Sequence, residues 1–262
     1  MYYREYYPAP ALRDWVSRHF VFTIPYHGER RETCHTIIPD GGSALVFHVN
    51  RPGFYSPWAR FTSPRTENLE VPVFPGSVYF GSRFHPGASG ALLGSDLHPL
   101  RNNIFEACEY LPTLDPVPLW RAAGGKPEFE AFHLLDKAVA SILPEGRVPD
   151  ELVMEAAKSI LSKKGKLKIG ELARSLPTSE RPLQKRFRYH AGLTMKELAR
   201  VCRLRATVLD IILQNRGHLE ALLDAGYFDQ AHYINEFFQI SGMLPSAFYR
   251  YIRQIDSSVL EP

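Results

Sequence analysis

Apolar positions in the last third of the chain follow a helical step, and they follow it twice. Ile169, Leu172, Leu183, Phe187 and Gly192 recur fifty positions later as Leu219, Leu222, Tyr233, Phe237 and Gly242. Steps of three and four within each copy set the apolar members on one face of short helices. The glycine falls where a helix ends. Each copy therefore predicts two helices joined by a tight turn, with Ser179 or Asp229 capping the second helix. An ungapped register across five core-type positions marks a duplicated unit.

Helical patterning extends to either side of the repeat. A support helix is predicted over 150–161, with Asp150 as its cap. In the first copy a helix over 167–176 precedes a turn at Pro177-Thr178, and Pro182 is tolerated because it falls in the first turn of the next helix. Thr194-Met195-Lys196-Glu197 has the form of a capping box that opens a connecting helix to about residue 213, with Gly217 as its terminator. Twenty residues span roughly 30 Å, close to the ~34 Å between equivalent grooves of a DNA duplex.

The first half reads differently. Aromatic and β-branched runs at 19–24, 36–39, 44–49, 71–74, 77–80 and 91–93 predict short strands. Asp40-Gly41-Gly42 is the turn between two of them. Residues 100–111 place Ile104, Phe105, Cys108 and Leu111 at helical spacing. A connector is expected at 112–127, then an amphipathic helix at 128–143 bearing Phe129, Phe132, Leu135, Val139 and Ile142, then a hinge at 144–149. That apolar stripe serves either packing on its own domain or a homodimer seam. The expected architecture is α+β: a β-barrel or sandwich over 1–127, a helix and hinge over 128–149, and an all-α region over 150–255.

Charge separates the two halves further. The net +3 conceals fourteen basic against six acidic residues over 150–205, but three against five over 206–253. The basic surplus lies on the first copy and its flanks, where it suits phosphate contact. Three well-separated cysteines with no CxxC pair fit reduced thiols. Neither an apolar h-region at Met1–Tyr7 nor a membrane-length apolar stretch is present, so a cytoplasmic protein is expected. No GxSxG, HExxH or P-loop pattern occurs, and neither a catalytic residue nor a cofactor is expected.

Leu183 and Phe187 face inward at i and i+4, so Arg181, Gln184, Lys185 and Arg188 project outward. Guanidinium and ammonium groups donate to guanine in the major groove, and Gln pairs with adenine. The second copy presents Gln230, Ala231, His232 and Asn235. Leu183-Gln-Lys-Arg-Phe187 with Gly192, and Ala225-Gly-Tyr-Phe-Asp-Gln-Ala-His-Tyr233 with Phe237, Gly242 and Pro245-Ser246, resemble the DNA-binding domain of AraC/XylS-family transcriptional regulators. The resemblance covers about 150–253 and implies promoter binding, with base-facing positions at Arg181, Gln184 and Lys185 in the first copy and Gln230, Ala231, His232 and Asn235 in the second; RNA polymerase is a further partner if the second copy contacts protein. It also shows departures: a basic residue is usual at Asn235 and Phe238, and Ser or Thr at Leu244. The first copy is therefore expected to supply most of the affinity.

At the other end, 12–22, Ile38-Pro39-Asp40-Gly41-Gly42 and Phe84-His85-Pro86-Gly87-Ala88 resemble the cupin-like sensor domain of some such regulators. This implies a small β-barrel or sandwich with no defined ligand. Should its many aromatic residues converge on an effector pocket, Trp15, Phe84 and His85 are the candidates for its rim. His35, His48, His85 and His98 are isolated and lack metal-ligand spacing, so no metal is expected. Two competing readings are a cupin-type metal enzyme with a DNA-binding tail and an adaptor whose second copy contacts protein. The adaptor places Glu236 on an outer acidic face.

Overall fold

The computed structural model describes residues 2–24, 33–50, 57–123, 127–213 and 218–254. Among the described residues the first half holds eight strands: β1 Tyr2–Tyr6, β2 Val16–Thr23, β3 Thr33–Ile37, β4 Ala44–Val49, β5 Trp58–Thr62, β6 Leu69–Val73, β7 Val78–Phe84 and β8 Ile104–Glu106. Six form one antiparallel sheet in the order β1-β2-β7-β4-β5-β8, and β3 pairs with β6 in a second, two-stranded sheet. The turn 40–42 consequently links two sheets and closes no hairpin.

Strand alternation gives the large sheet two different faces. Leu45, Phe47, Phe61 and Phe80 point to one side and are fully buried. They pack there with Leu135 and Val139 of a later helix. The opposite face carries an aromatic row set by register: Tyr3 lies against Phe22, Phe22 against Tyr79, Tyr79 against His48 and His48 against Trp58. In the next row Phe20 lies opposite Gly81. A Cβ on Gly81 would come within 2.2 Å of Leu45 O and 3.0 Å of the Phe20 ring, so glycine is what lets that ring lie down on the sheet.

Eleven α-helices follow among the described residues: α1 Ala88–Leu93, α2 Ala107–Tyr110, α3 Val117–Ala123, α4 Pro127–Ile142, α5 Glu151–Ser162, α6 Ile169–Ser175, α7 Glu180–Ala191, α8 Met195–Leu213, α9 His218–Asp224, α10 Gln230–Ser241 and α11 Pro245–Gln254. None is long and apolar enough to cross a membrane. Three local expectations are corrected. Residues 91–93 are helical, because the left-handed Gly87 and Gly94 bracket a run of Ala and Leu. Residues 104–106 leave the expected helix and extend the sheet beside β5, where Glu106 faces Arg60. The connector 112–127 contains α3, with Pro118 in its first turn and Leu119 buried.

The apolar stripe of α4 is spent within the chain. Leu135, Val139 and Ile142 are buried against the sheet. Phe129 lies outside the residues whose side chains are described, as does Leu219, and Gly217 lies outside the described residues altogether. The helical region has two cores of its own: Ile160, Leu183, Phe187 and Leu198 belong to one, and Leu204, Leu222, Tyr233 and Phe237 to the other. The spacer helix α8 contributes to both. Its nineteen residues span roughly 28 Å.

Candidate nucleic-acid interface

Caps and terminal glycines fix the helices of the repeated region. Asp150 Oδ1 accepts from Val153 N at 3.1 Å, and Asp229 Oδ1 accepts from His232 N at 2.7 Å. The capping box opening α8 is formed in both directions: Thr194 N donates to Glu197 Oε2 at 2.7 Å, and Glu197 N donates to Thr194 Oγ1 at 3.1 Å. Gly192 and Gly242 end α7 and α10 at φ 71° and 67°, a conformation that favours glycine. Ser179 occupies the cap position of α7 but makes no side-chain bond there, contrary to expectation.

All eight expected DNA-facing side chains are exposed: Arg181, Gln184, Lys185 and Arg188 on α7, and Gln230, Ala231, His232 and Asn235 on α10. Arg181, Lys185 and Arg188 form an i, i+4, i+7 stripe and make no ion pair among the described residues. Gln184 Nε2 donates back to Glu180 Oε1 at 2.9 Å. Fifty positions on, the three cations become Ala231, Asn235 and Phe238, equally exposed and uncharged.

Several of the remaining cations are engaged in ion pairs within the chain. Arg186 binds Asp150 through Nε at 2.8 Å and Nη2 at 2.6 Å. On α10, Glu236 is 5% exposed and therefore not on the outer acidic face expected of an adaptor. Arg200 Nε donates to its Oε2 at 3.1 Å, Arg203 Nη2 donates to both oxygens at 2.8 Å, and Tyr227 OH donates to Oε1 at 3.0 Å. Burial alone would raise the Glu236 pKa, but the bonds and charge of Arg203, with Arg200 behind it, hold it below the usual range. The two ion pairs correspond across the repeat: Asp150 and Arg186 become Arg200 and Glu236, with the signs exchanged. That correspondence is readable in the sequence, because both members fall on the fifty-residue register.

The β region grips both units at the same place. Leu97 N donates to Tyr189 O at 3.0 Å, and His98 Nδ1 lies 3.0 Å from Gly192 O. Asn68 N donates to Ile240 O at 2.8 Å. These are the last turns of α7 and α10. The two gripping segments are tied together, since Thr66 N donates to Asn102 Oδ1 and Asn102 N to Pro64 O. Asp40 bridges the regions again, accepting from Arg83 at 2.8 Å and facing Arg205 of α8 at 3.8 Å.

Between the aromatic face of the large sheet, the β3–β6 ladder and helices α8 and α11 lies a cavity of about 690 Å³. Phe22, Val46, His48 and Trp58 line it from the sheet, and Val208 and Ile252 from the helices. The expected rim residues are not there. Trp15 and Phe84 are buried in the core on the opposite face of the sheet, and His85 Nε2 lies 3.0 Å from Arg13 O. The register of a strand decides which face a side chain takes, and adjacent turn residues do not reveal it. Cys202, beside Arg203 and Arg205 in sequence, is buried, which pushes its thiol up to about 12 and leaves it protonated. Among the described residues no group of three His, Cys, Asp or Glu could hold a metal ion.

Residues 172–251 match the family described as a helix-turn-helix domain, and residues 4–106 match a domain of unknown function, DUF6597. No curated protein matches the chain. Among solved structures, ToxT from Vibrio cholerae in its P21 form is similar with a TM-score of 0.46 at 8% identity, over 95% of this chain and 98% of that one. Wild-type ToxT from Vibrio cholerae strain SCE256, bound to an unsaturated fatty acid, gives 0.43 at 10% identity over 87% and 92%. The matched segment contains α7, α10 and the spacer α8 between them. Residues 172–251 form a helix-turn-helix domain, and the chain that carries it is a DNA-binding transcriptional regulator.

Proposed function

We propose that this regulator binds promoter DNA asymmetrically and responds to a small molecule. Residues 150–255 act as the DNA-binding region, 1–127 as the effector domain and 128–149 as the connection between them. The observation that carries the asymmetry is the replacement of Arg181, Lys185 and Arg188 by Ala231, Asn235 and Phe238 at equivalent, equally exposed positions. Sequence-independent affinity comes from cations that displace counterions from phosphate. The first unit has them on its groove-facing side and the second does not. In this reading α7 supplies affinity and base contacts, while α10 adds a weaker second contact through Gln230, His232 and Asn235.

The cavity supports the effector part. It has the size of a small-molecule site, its walls are mainly apolar, and both regions contribute to it. A ligand there touches α8 and α11 directly, so occupancy bears on the helices that carry the two readers. Regulation of this kind requires no catalysis.

The test is DNA affinity of full-length variants at fixed salt on a footprinted promoter site. Arg181→Ala or Lys185→Ala is expected to cost about 1–3 kcal/mol where the side chain makes a bidentate base contact. Asn235→Ala is expected to cost less than half as much. Equal losses from the two units would overturn the asymmetric reading. Stoichiometric iron, zinc or manganese in the purified protein would favour an enzyme.

A further inference from the structure

One cation on the cavity wall lacks the partner its burial demands. Arg65, on the loop between β5 and β6, lines the cavity, and its Nη1 is shut off from solvent without a hydrogen-bond partner. Its other nitrogens reach backbone oxygens only at long range, Nε to Glu67 O and Nη2 to Asn68 O, both 3.4 Å. Other guanidiniums on the wall pair directly with carboxylates, Arg83 with Glu5 and Asp40, Arg60 with Glu106 and Arg205 with Asp40, whereas Arg65 feels Glu67 only at longer range. A sealed donor with no acceptor is costly, and a charged one more so. Ser43 Oγ, also on the wall, is likewise buried and unpartnered. The register brings the two near one another, because Ala44, next to Ser43, pairs with Thr62, three residues from Arg65. The aromatic row lies two rows further along the same sheet face, at His48 and Trp58. The cavity thus has rings at one end and, at the other, a guanidinium that feels the Glu67 carboxylate but has no acceptor for its inward Nη1.

The loop that carries Arg65 is also the loop that grips the DNA-binding helices. Asn68, three residues on, holds Ile240 at the end of α10, and Thr66 is fastened to Asn102 beside the segment that holds α7. We propose that Arg65 anchors the oxyanion of a singly charged, otherwise apolar effector, and that its loop transmits occupancy of the cavity to the last turn of α10. This rests on the effector reading above and names the ligand chemistry for it. A bound oxyanion supplies the acceptors that Nη1 and Ser43 lack. Drawing Arg65 towards it shifts the backbone that ends on Ile240, while the apolar body of the ligand fills the space beside Val46 and Trp58.

Two fluorescent probes that differ in charge separate the parts of this proposal in the full-length protein. 8-Anilinonaphthalene-1-sulfonate carries one sulfonate, and N-phenyl-1-naphthylamine is its uncharged counterpart. Wild type is expected to bind both, and Val46→Trp, which fills the cavity, to abolish both. Arg65→Gln is expected to weaken the sulfonate about tenfold or more, as loss of a charged hydrogen bond does, and to leave the neutral probe within twofold. Arg65→Lys should recover part of the difference. Binding of both probes that Val46→Trp leaves intact would sink the effector cavity itself. If Val46→Trp blocks both probes but Arg65→Gln treats them alike, the cavity stands and the anchor is wrong. Loss of the neutral probe in both Arg65 variants makes Arg65 a structural prop and overturns the proposal. For transmission, saturating sulfonate should change amide hydrogen exchange across 238–243 in wild type but not in Arg65→Gln. Unchanged exchange in wild type refutes that coupling.

Discussion

His48 shows how a single side chain answers to its surroundings. Its ring lies between Trp58 and Tyr79, with centroids 5.0 and 4.8 Å away, and Nε2 is 3.0 Å from Ser77 Oγ. Burial, with the Arg60 charge second, lowers its pKa to about 4. The unfolded chain accepts this proton near pH 6.5. Between pH 6.5 and about 4 the unfolded state therefore binds more protons, and stability falls as the pH falls. From pH 7 to 5 this one group should cost on the order of 2 kcal/mol. His19, His35 and His85 are also lowered by burial, so the wild-type total mixes several groups. The difference from His48→Phe isolates one of them. Urea unfolding of both proteins at pH 7 and pH 5 measures it, and parallel losses would refute the assignment.

At the scale of elements, the join between α8 and α10 is polar where most of the packing is apolar. Arg200, Arg203 and Tyr227 converge on Glu236, so removing the carboxylate strands two guanidiniums at a largely closed contact. Glu236→Ala is expected to lower unfolding free energy by about 3–5 kcal/mol, the usual cost of breaking a buried pair. Its exposed neighbour Asn235→Ala should stay within about 0.5 kcal/mol. Paired thermal and denaturant melts decide it; similar values for the two would show that the network contributes little. The helices of this region were largely legible in sequence, because local caps and i, i+4 spacing act within a few residues. Asp150, Thr194, Glu197 and Asp229 all cap as their positions suggest. The β half was less so. Ile104 and Phe105 satisfy a helical pattern, yet the unpaired edge of β5 claims them for the sheet. The rim guess at Trp15 and Phe84 failed for the same reason: strand register is set by distant partners. The exposed faces of α7 and α10, which depend on helix periodicity, were visible in advance. The cavity and Arg65 depend on long-range contact and were not.

Across the whole molecule, the β region and the helical region meet as close neighbours. A Cβ on Gly90 of α1 would lie 2.5 Å from His190 Cα, and one on Gly41 would lie 2.1 Å from Leu198 Cδ1. Gly90→Ala places the added methyl against backbone, which cannot give way as a side-chain tip can. It should cost about 1–3 kcal/mol and loosen the two regions from each other while leaving the outer stripe of α7 intact. Limited proteolysis of the segment 144–149 should accelerate several-fold, with DNA affinity of the first unit retained. Unaltered cleavage would mean that the contact does not hold the regions together. The exchanged ion pairs act at this same scale. A duplicated chain runs the hazard that α10 docks on the support helix α5 and α7 on the spacer α8, since the apolar partners of each are so alike. In that arrangement Glu236 would meet Asp150 and Arg186 would meet Arg200, like charge on like, with both carboxylates largely buried. The chain thereby recognises its own halves as different, and α7 and α10 each return to their own seat during folding.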